Sequence, residues 1–153
     1  LLRESENKLS NFFDKRIKIA FVLFFLTGAT GSITALADVL FPSASFVEGF
    51  IEDFDSTSEV LTRLRILHPF VSTILSIFLF SESNRFKKEF AIDTSTIKVL
   101  VIVGVILGVL NVVSNIILPL SILHLLLADL LWITYVYKAV EKATLLKIPQ
   151  NID

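Results

Sequence analysis

The sequence predicts an all-α integral membrane protein, a four-helix bundle with both termini cytoplasmic and a short amphipathic helix in the first outer loop. Of its 153 residues, 54% are hydrophobic, and the mean hydropathy of +0.75 is too high for a soluble domain of this size. Four apolar segments approach the roughly 20 residues that cross a hydrocarbon core of about 30 Å. Lysine and arginine collect at one set of segment ends.

The predicted spans belong to a single domain, 1–153, and cover about residues 17–41, 61–80, 97–118 and 120–140. The first is interrupted only by Asp38, the third carries no charge from Val99 to Leu118, and the fourth holds one acid, Asp129. The second reaches full length only if Arg63 and Arg65 lie at the headgroup level and snorkel.

The basic residues at the span ends predict the orientation of the bundle. They flank the first span, the connection between the second and third, and the end of the fourth: Lys15, Arg16, Lys18, Arg85, Lys87, Lys88, Lys98, Lys138, Lys142 and Lys147. By the positive-inside rule, we expect this side, with both termini, in the cytoplasm.

The loop after Phe41 is acidic and lies on the other side. Its apolar residues recur at helical spacing, and Ser45 with Glu48 fits a capping box. This pattern predicts a short amphipathic helix lying on the mouth of the bundle. A solvated acidic loop is the alternative.

Composition restricts the chemistry and the partners. The net charge of −1 gives no general attraction to nucleic acid, so membrane lipid is the expected partner. Cysteine is absent, which excludes disulfides, thiolate metal sites and cysteine nucleophiles. Methionine is absent even at position 1, and we therefore expect the chain to lack its true start.

The two histidines of the chain, His68 and His124, are the candidate metal ligands. Each lies near the start of a span that runs from outside to inside, so both lie about 6–10 Å below the outer boundary. Two neutral imidazoles facing each other at one depth suit the axial positions of a heme iron. A structural hydrogen-bonding role is the alternative.

Small and polar residues form two stripes that would leave room for a porphyrin. One comprises Thr27, Gly31, Thr34 and Asp38, and the other comprises Gly104, Gly108, Asn111 and Asn115. Such stripes also serve close helix packing alone.

Three charged residues and one proline complete the candidate site. Arg63 and Arg65 stand above His68, where either could pair with a heme propionate or act as a snorkelling anchor. Pro69 should free the carbonyl of Arg65 and bend the helix. Asp129 is turned away from His124 and belongs to a helix contact, a subunit interface or a proton path.

Three motifs resemble the heme A synthase family: TGATGSITALADVLFPS at Thr27 to Ser43, RLRILHP at Arg63 to Pro69, and HLLLADLLW at His124 to Trp132. Members typically have two four-helix halves, each with a histidine pair, and compact half-length forms exist. This chain is most similar to the second, heme b-binding half. The resemblance implies that His68 and His124 bind heme b, and that the methyl group of heme O is oxidised to the formyl group of heme A.

One position departs from the family pattern. A glutamate is expected three residues before the histidine of the second span, but Arg65 stands there. No catalytic acid therefore carries over from the family.

Two functions remain open. The first is a compact heme A synthase that works as a homo-oligomer or with a second bundle, with Glu48, Glu52 or Glu59 replacing the missing glutamate. The second is a non-catalytic heme-binding or structural subunit of a respiratory terminal oxidase complex. A cytochrome b561-type electron carrier is disfavoured because no histidine lies near the cytoplasmic side. We expect a prokaryotic plasma membrane location, with a terminal oxidase or a heme O synthase as further partners.

Overall fold

The computed structural model describes residues 14–114 and 116–145, which form six helices and no strand. They are α1 (Lys15–Leu40), α2 (Phe46–Phe54), α3 (Val60–Leu64), α4 (Leu67–Phe90), α5 (Ser95–Val113) and α6 (Leu118–Leu145). Within these residues α1, α3 with α4, α5 and α6 are long and apolar enough to cross a membrane. The predicted all-α, four-span fold is confirmed. Asn115 and Lys147 lie outside the described residues, and the side of the membrane that holds the termini stays a prediction.

The second span is divided into α3 and α4 by a turn beside His68. Pro69 has no amide proton, so the Arg65 carbonyl cannot receive the usual helical bond from it. That carbonyl instead accepts a bond from the His68 amide at 3.2 Å and lies 3.4 Å from the Thr34 hydroxyl. The bend predicted from Pro69 is therefore present, and α1 stabilises it.

The connection between α5 and α6 is longer than the predicted span bounds leave room for. We predicted a third span reaching residue 118, but α5 ends at Val113 and α6 already begins at Leu118. Pro119 lies in the first turn of α6, where its missing amide proton costs no helical hydrogen bond. The fourth helix also extends to Leu145, beyond its expected end.

Packing is unequal along the bundle. The closest helix pairs are α1 with α4 and α5 with α6. The buried apolar cluster lies towards one end and comprises Ala20, Leu75, Leu79, Phe86, Ile92, Ile97, Val101 and Tyr135. By contrast, α5 from Ile102 onward and α6 before Tyr135 contain no buried residue in the described ranges. The half of the bundle that carries the histidines is thus the more loosely packed half.

Ion pairs close the densely packed end, which we call the polar-cluster end (Asp14, Arg16, Glu82, Arg85 and Lys142). Glu82 is buried and pairs with Arg16 at 2.6 Å and Arg85 at 2.7 Å. Asp14 pairs with Arg85 at 3.3 Å and also with Lys142. These pairs join the ends of α1, α4 and α6.

The outer loop contains the predicted amphipathic helix, α2. Ser45 accepts a hydrogen bond from the Glu48 amide, as in a capping box, while Glu48 accepts one from the Ala44 amide, one residue before the N-cap. The alternative of an unstructured acidic loop is wrong.

Candidate functional site

His68 is held by α1. It lies in the first turn of α4, and its Nδ1 atom is 3.2 Å from the Thr27 carbonyl and 3.4 Å from the Thr30 hydroxyl. A carbonyl can only accept, so Nδ1 carries the proton and Nε2 keeps the lone pair. This tautomer is the one that a metal-binding histidine needs when its second nitrogen is anchored to backbone.

His124 lies in the second turn of α6 and is held less firmly. Its Nδ1 atom is buried and meets no hydrogen-bond partner among residues 14–114 and 116–145. The Gly104 backbone lies beside the ring but does not meet hydrogen-bond geometry. The two histidines therefore differ in how their orientation is fixed.

Glycine makes the close approach of both rings possible. A Cβ atom built on Gly31 would lie 3.1 Å from His68 Cε1, and one built on Gly108 would lie 3.2 Å from His124 Cε1. Both distances are shorter than ordinary van der Waals contact, so a larger residue would displace the imidazole. The two predicted stripes, in α1 and α5, thus face the histidines.

The other described members of these stripes also make contacts. Asp38 pairs with Arg65, Gly104 packs on Leu127, and the Asn111 side chain accepts a hydrogen bond from Ser121 at 3.0 Å. Helix packing and the histidine pair therefore use the same two faces.

The two imidazoles face each other across the bundle. Their centroids are 6.4 Å apart, and the ring planes are perpendicular. Two imidazoles that bind one metal ion from opposite sides, with bonds of about 2.0 Å, have centroids about 6 Å apart. The centroid separation is thus close to that of two imidazoles on one metal ion.

Arg65 is the centre of a buried ion cluster, which we call the Arg65 cluster (Arg65, Asp38, Glu52, Asp53 and Ser43). The guanidinium group lies 2.8 Å from Asp53, 3.1 Å from Asp38 and 3.3 Å from Glu52. Burial raises the pKa of Asp53, and the hydrogen bond from Arg65 offsets this only in part. The cluster fastens α2 to the ends of α1 and α3.

This cluster was not predicted from the sequence. Arg65 was expected at the lipid headgroups or on a propionate. Asp38 was expected on a stripe beside the porphyrin, Glu52 as a candidate for the missing glutamate, and Asp53 only as part of an acidic loop. A signal was present, because Glu52 falls on the side of α2 opposite its phenylalanines. Asp38, at the end of an otherwise uncharged span, pointed to the same partner.

Arg63 and Asp129 have no such partners. Arg63 is exposed, and its side chain makes no ion pair within the described ranges. Asp129 is exposed on α6 and is likewise unpaired in the part of the chain described. Among residues 14–114 and 116–145, Asp129 makes no hydrogen bond to a neighbouring helix.

The fold and site together define a multi-pass membrane bundle with a facing histidine pair between its helices. Over residues 3–136 the chain matches the COX15-CtaA family, described as cytochrome oxidase assembly protein. The chain belongs to this family, and the resemblance to heme A synthases is confirmed.

Two curated relatives, both named protoheme IX farnesyltransferase, come from two strains of Thermus thermophilus. Each is 29% identical over 125 residues, which cover 76% of this chain and 20% of the relative. The chain thus spans about a fifth of the length of these relatives. No solved structure matches it.

The residues around the pair fit a heme. In the described residues no group of three or more His, Cys, Asp and Glu side chains could hold a metal ion. A two-histidine donor set suits an iron whose other ligands come from its own macrocycle. Glycine at both ring contacts and loose packing of α5 and α6 beside the pair agree with a flat group between the helices.

Proposed function

We propose that this chain is a compact heme A synthase that binds heme b through His68 and His124 and oxidises the methyl group of heme O to the formyl group of heme A. The facing imidazoles, 6.4 Å apart and each against a glycine, carry this proposal. Family membership supplies the link to cytochrome oxidase assembly.

The histidines hold the cofactor in this proposal. The Thr27 carbonyl fixes the His68 ring so that its Nε2 would be free to hold a heme iron, and His124 would be the second histidine to hold it. A bis-histidine heme supplies reversible one-electron transfer when bound. Conversion of a methyl to a formyl group takes one oxygen atom from water and releases four protons and four electrons. The protein therefore has to orient the heme, admit that water, and pass the protons and electrons to external acceptors.

Arg63 and Arg65 are the proposed contacts to the propionates. Arg63 is exposed near the His68 end of the bundle and has no other ion pair among the described residues. Arg65 already binds three carboxylates. Arg63 is therefore the better supported of the two as a propionate partner.

A proton acceptor must replace the glutamate of the family pattern. Glu48 caps α2, and Glu52 binds Ser43 and Arg65. Glu59 is exposed, and its side chain makes no capping hydrogen bond. Of the three candidates, Glu59 is the one whose carboxylate is not already used by the fold.

Association with further membrane protein is part of the proposal. An unpaired carboxylate facing hydrocarbon is costly, so exposed Asp129 favours a second bundle or another copy of the chain against α6. The relatives named protoheme IX farnesyltransferase carry the similar segment within a longer chain. We therefore also propose a heme O synthase as a partner and heme O as the substrate.

One observation favours a second candidate, a non-catalytic heme-binding or structural subunit of a terminal oxidase complex. The position of the expected glutamate is occupied by Arg65, and Arg65 serves a structural cluster. A chain that has lost the acid while keeping both histidines could carry heme without transforming it.

Two measurements test these functions. The purified protein should show the sharp reduced α-band of a low-spin bis-histidine heme, and His68→Ala and His124→Ala should each abolish that band. Complete absence of heme after gentle extraction would contradict the synthase and the heme-binding subunit, and would leave only a structural subunit. Cells that co-express a heme O synthase should accumulate heme A, and accumulation of heme O alone would leave only the subunit function.

A further inference from the structure

The short helix α2 turns its polar groups towards the protein and its apolar side chains away from it. Its polar groups face the protein: the Gly49 carbonyl, Glu52 and Asp53 all bind Arg65. Its large apolar side chains face outward, and 44–64% of each is exposed: Phe46, Val47, Phe50, Ile51 and Phe54. No residue of α2 is buried.

The contacts on the inner side fix this orientation. A Cβ atom on Gly49 would lie 3.1 Å from the Ser43 hydroxyl oxygen, so α2 approaches the preceding loop as closely as a glycine allows. Arg65 then holds the next turn through Glu52 and Asp53. Rotating the apolar side towards the bundle would leave the buried guanidinium group of Arg65 with Asp38 but without Glu52 and Asp53.

We infer that the outward face of α2 lies in the membrane, embedded in the acyl-chain and headgroup boundary of the leaflet at this end of the bundle. In water, five adjacent large apolar side chains would form an unfavourable exposed patch. Hydrocarbon is the surrounding that stabilises them, and an interfacial helix places such a face just below the headgroups.

The apolar face of α2 is continuous with the lipid-facing surface of the membrane span α1, and this identifies lipid as the material that covers it. α1 ends in exposed apolar residues, Val39 and Leu40, and only a short connection separates them from Phe46. The apolar face of α2 therefore extends the lipid-facing surface of α1. Nine residues of helix are about 14 Å long, too short to cross the bilayer, so α2 lies along its surface.

Polar residues next to α2 set the limit of this insertion. Asp55 accepts hydrogen bonds from the backbone and side chain of Thr57, which lower the pKa of Asp55 and keep it charged. Glu59 is also exposed. The turn after α2 therefore remains in water while the phenylalanines insert.

The absence of cysteine from the sequence allows a direct test. Single substitutions Val47→Cys, Phe50→Cys and Phe54→Cys would be spin-labelled in the full chain, reconstituted in phosphatidylcholine vesicles. Ser56→Cys, in the exposed turn after α2, is the matched aqueous control. Phe25→Cys, 74% exposed in the middle of α1, is the lipid reference.

Collision rates with oxygen, which concentrates in hydrocarbon, and with a water-soluble nickel chelate decide the outcome. We expect the oxygen-to-nickel ratio at residues 47, 50 and 54 to exceed that at Ser56 several-fold and to approach that at Phe25. A ratio equal to that at Ser56 would overturn the inference. Low collision rates with both reagents would also overturn it, because they would mean that protein covers the face.

A second measurement uses tryptophan fluorescence instead of a spin label, so that the label cannot disturb the position of α2. In a Trp132→Phe background, which removes the only tryptophan, Ile51→Trp should be quenched by lipids brominated on the acyl chains. Ser56→Trp should be quenched instead by aqueous iodide. Equal iodide quenching of both would contradict insertion of α2.

Discussion

His68 and His124 are not equivalent ligands, because only His68 has an anchored second nitrogen. Its Nδ1 atom lies 3.2 Å from the Thr27 carbonyl, whereas the Nδ1 atom of His124 has no hydrogen-bond partner in the described residues. Partners of this kind fix the tautomer and ring orientation of a ligand, and their loss weakens metal binding about 10–100-fold. His124 should therefore be the ligand that is more readily replaced.

Substitution of each histidine by alanine tests this difference. We expect His124→Ala to retain part of its heme as a high-spin form and to regain a low-spin spectrum when free imidazole is added. His68→Ala should lose more heme and respond less to imidazole, because α1 positions that side of the site. Equal retention and equal rescue of the two variants would contradict the assignment.

The glycines beside the two rings give a second prediction at the residue scale. Gly31→Ala and Gly108→Ala would each introduce a Cβ atom within 3.2 Å of an imidazole carbon, so the ring must move from its binding position. Both should lower the ratio of heme to protein, measured as the pyridine complex of the extracted heme.

Gly28→Ala is the matched control, because nothing lies within 4 Å of its built Cβ atom. Replacing an exposed glycine within a helix by alanine stabilises the fold by about 0.5–1 kcal/mol. If Gly31→Ala bound as much heme as Gly28→Ala, close approach to His68 would not be a requirement of the site.

At the scale of elements, the Arg65 cluster fixes the position of α2 on the bundle. Arg65 is 7% exposed and binds Asp38 and Asp53, which belong to different helices. Removing one partner of a buried ion pair leaves charges uncompensated and typically costs about 3–5 kcal/mol. Arg65→Gln should therefore lower the thermal stability of the protein in detergent, measured by circular dichroism.

Two comparisons separate the lost charge from a general effect of mutation. Arg63→Gln removes an exposed cation without an ion pair in the described ranges and should change stability by less than about 0.5 kcal/mol. Adding Asp53→Asn to Arg65→Gln should recover part of the loss, since it removes one unpaired carboxylate. Additive losses in the double variant would argue against a coupled cluster.

For the whole molecule, local patterns predicted the spans and the two faces that meet the histidines. Gly31 and Gly108 could be placed beside the rings because helical periodicity fixes which residues share a face. The partners of the Arg65 side chain could not be predicted in this way. It depends on how the outer loop folds back, which brings Asp53 to the turn between α3 and α4 and so decides whether Arg65 faces lipid, a propionate or carboxylates.

The polar-cluster end should make the stability of the bundle sensitive to acid through Asp14, which joins α1 to Arg85 and Lys142. Burial alone would raise the pKa of Asp14, but hydrogen bonds from Lys142 and the Ile17 amide outweigh it and lower the pKa below its ordinary value of 3.8. A lowered pKa in the folded state means that the unfolded state binds more protons in acid. The stabilisation by Asp14 is therefore complete above 3.8 and is lost as the pH falls through the folded-state value.

Asp14→Asn isolates this charge effect, because asparagine can still cap the first turn of α1. We expect the variant to melt at a lower temperature than the unsubstituted protein at neutral pH. The difference between the two melting temperatures should shrink as the pH is lowered below 3.8, since the aspartate then becomes neutral as well. A difference that stayed constant, or widened, in acid would show that the carboxylate charge does not hold α1 to α4 and α6.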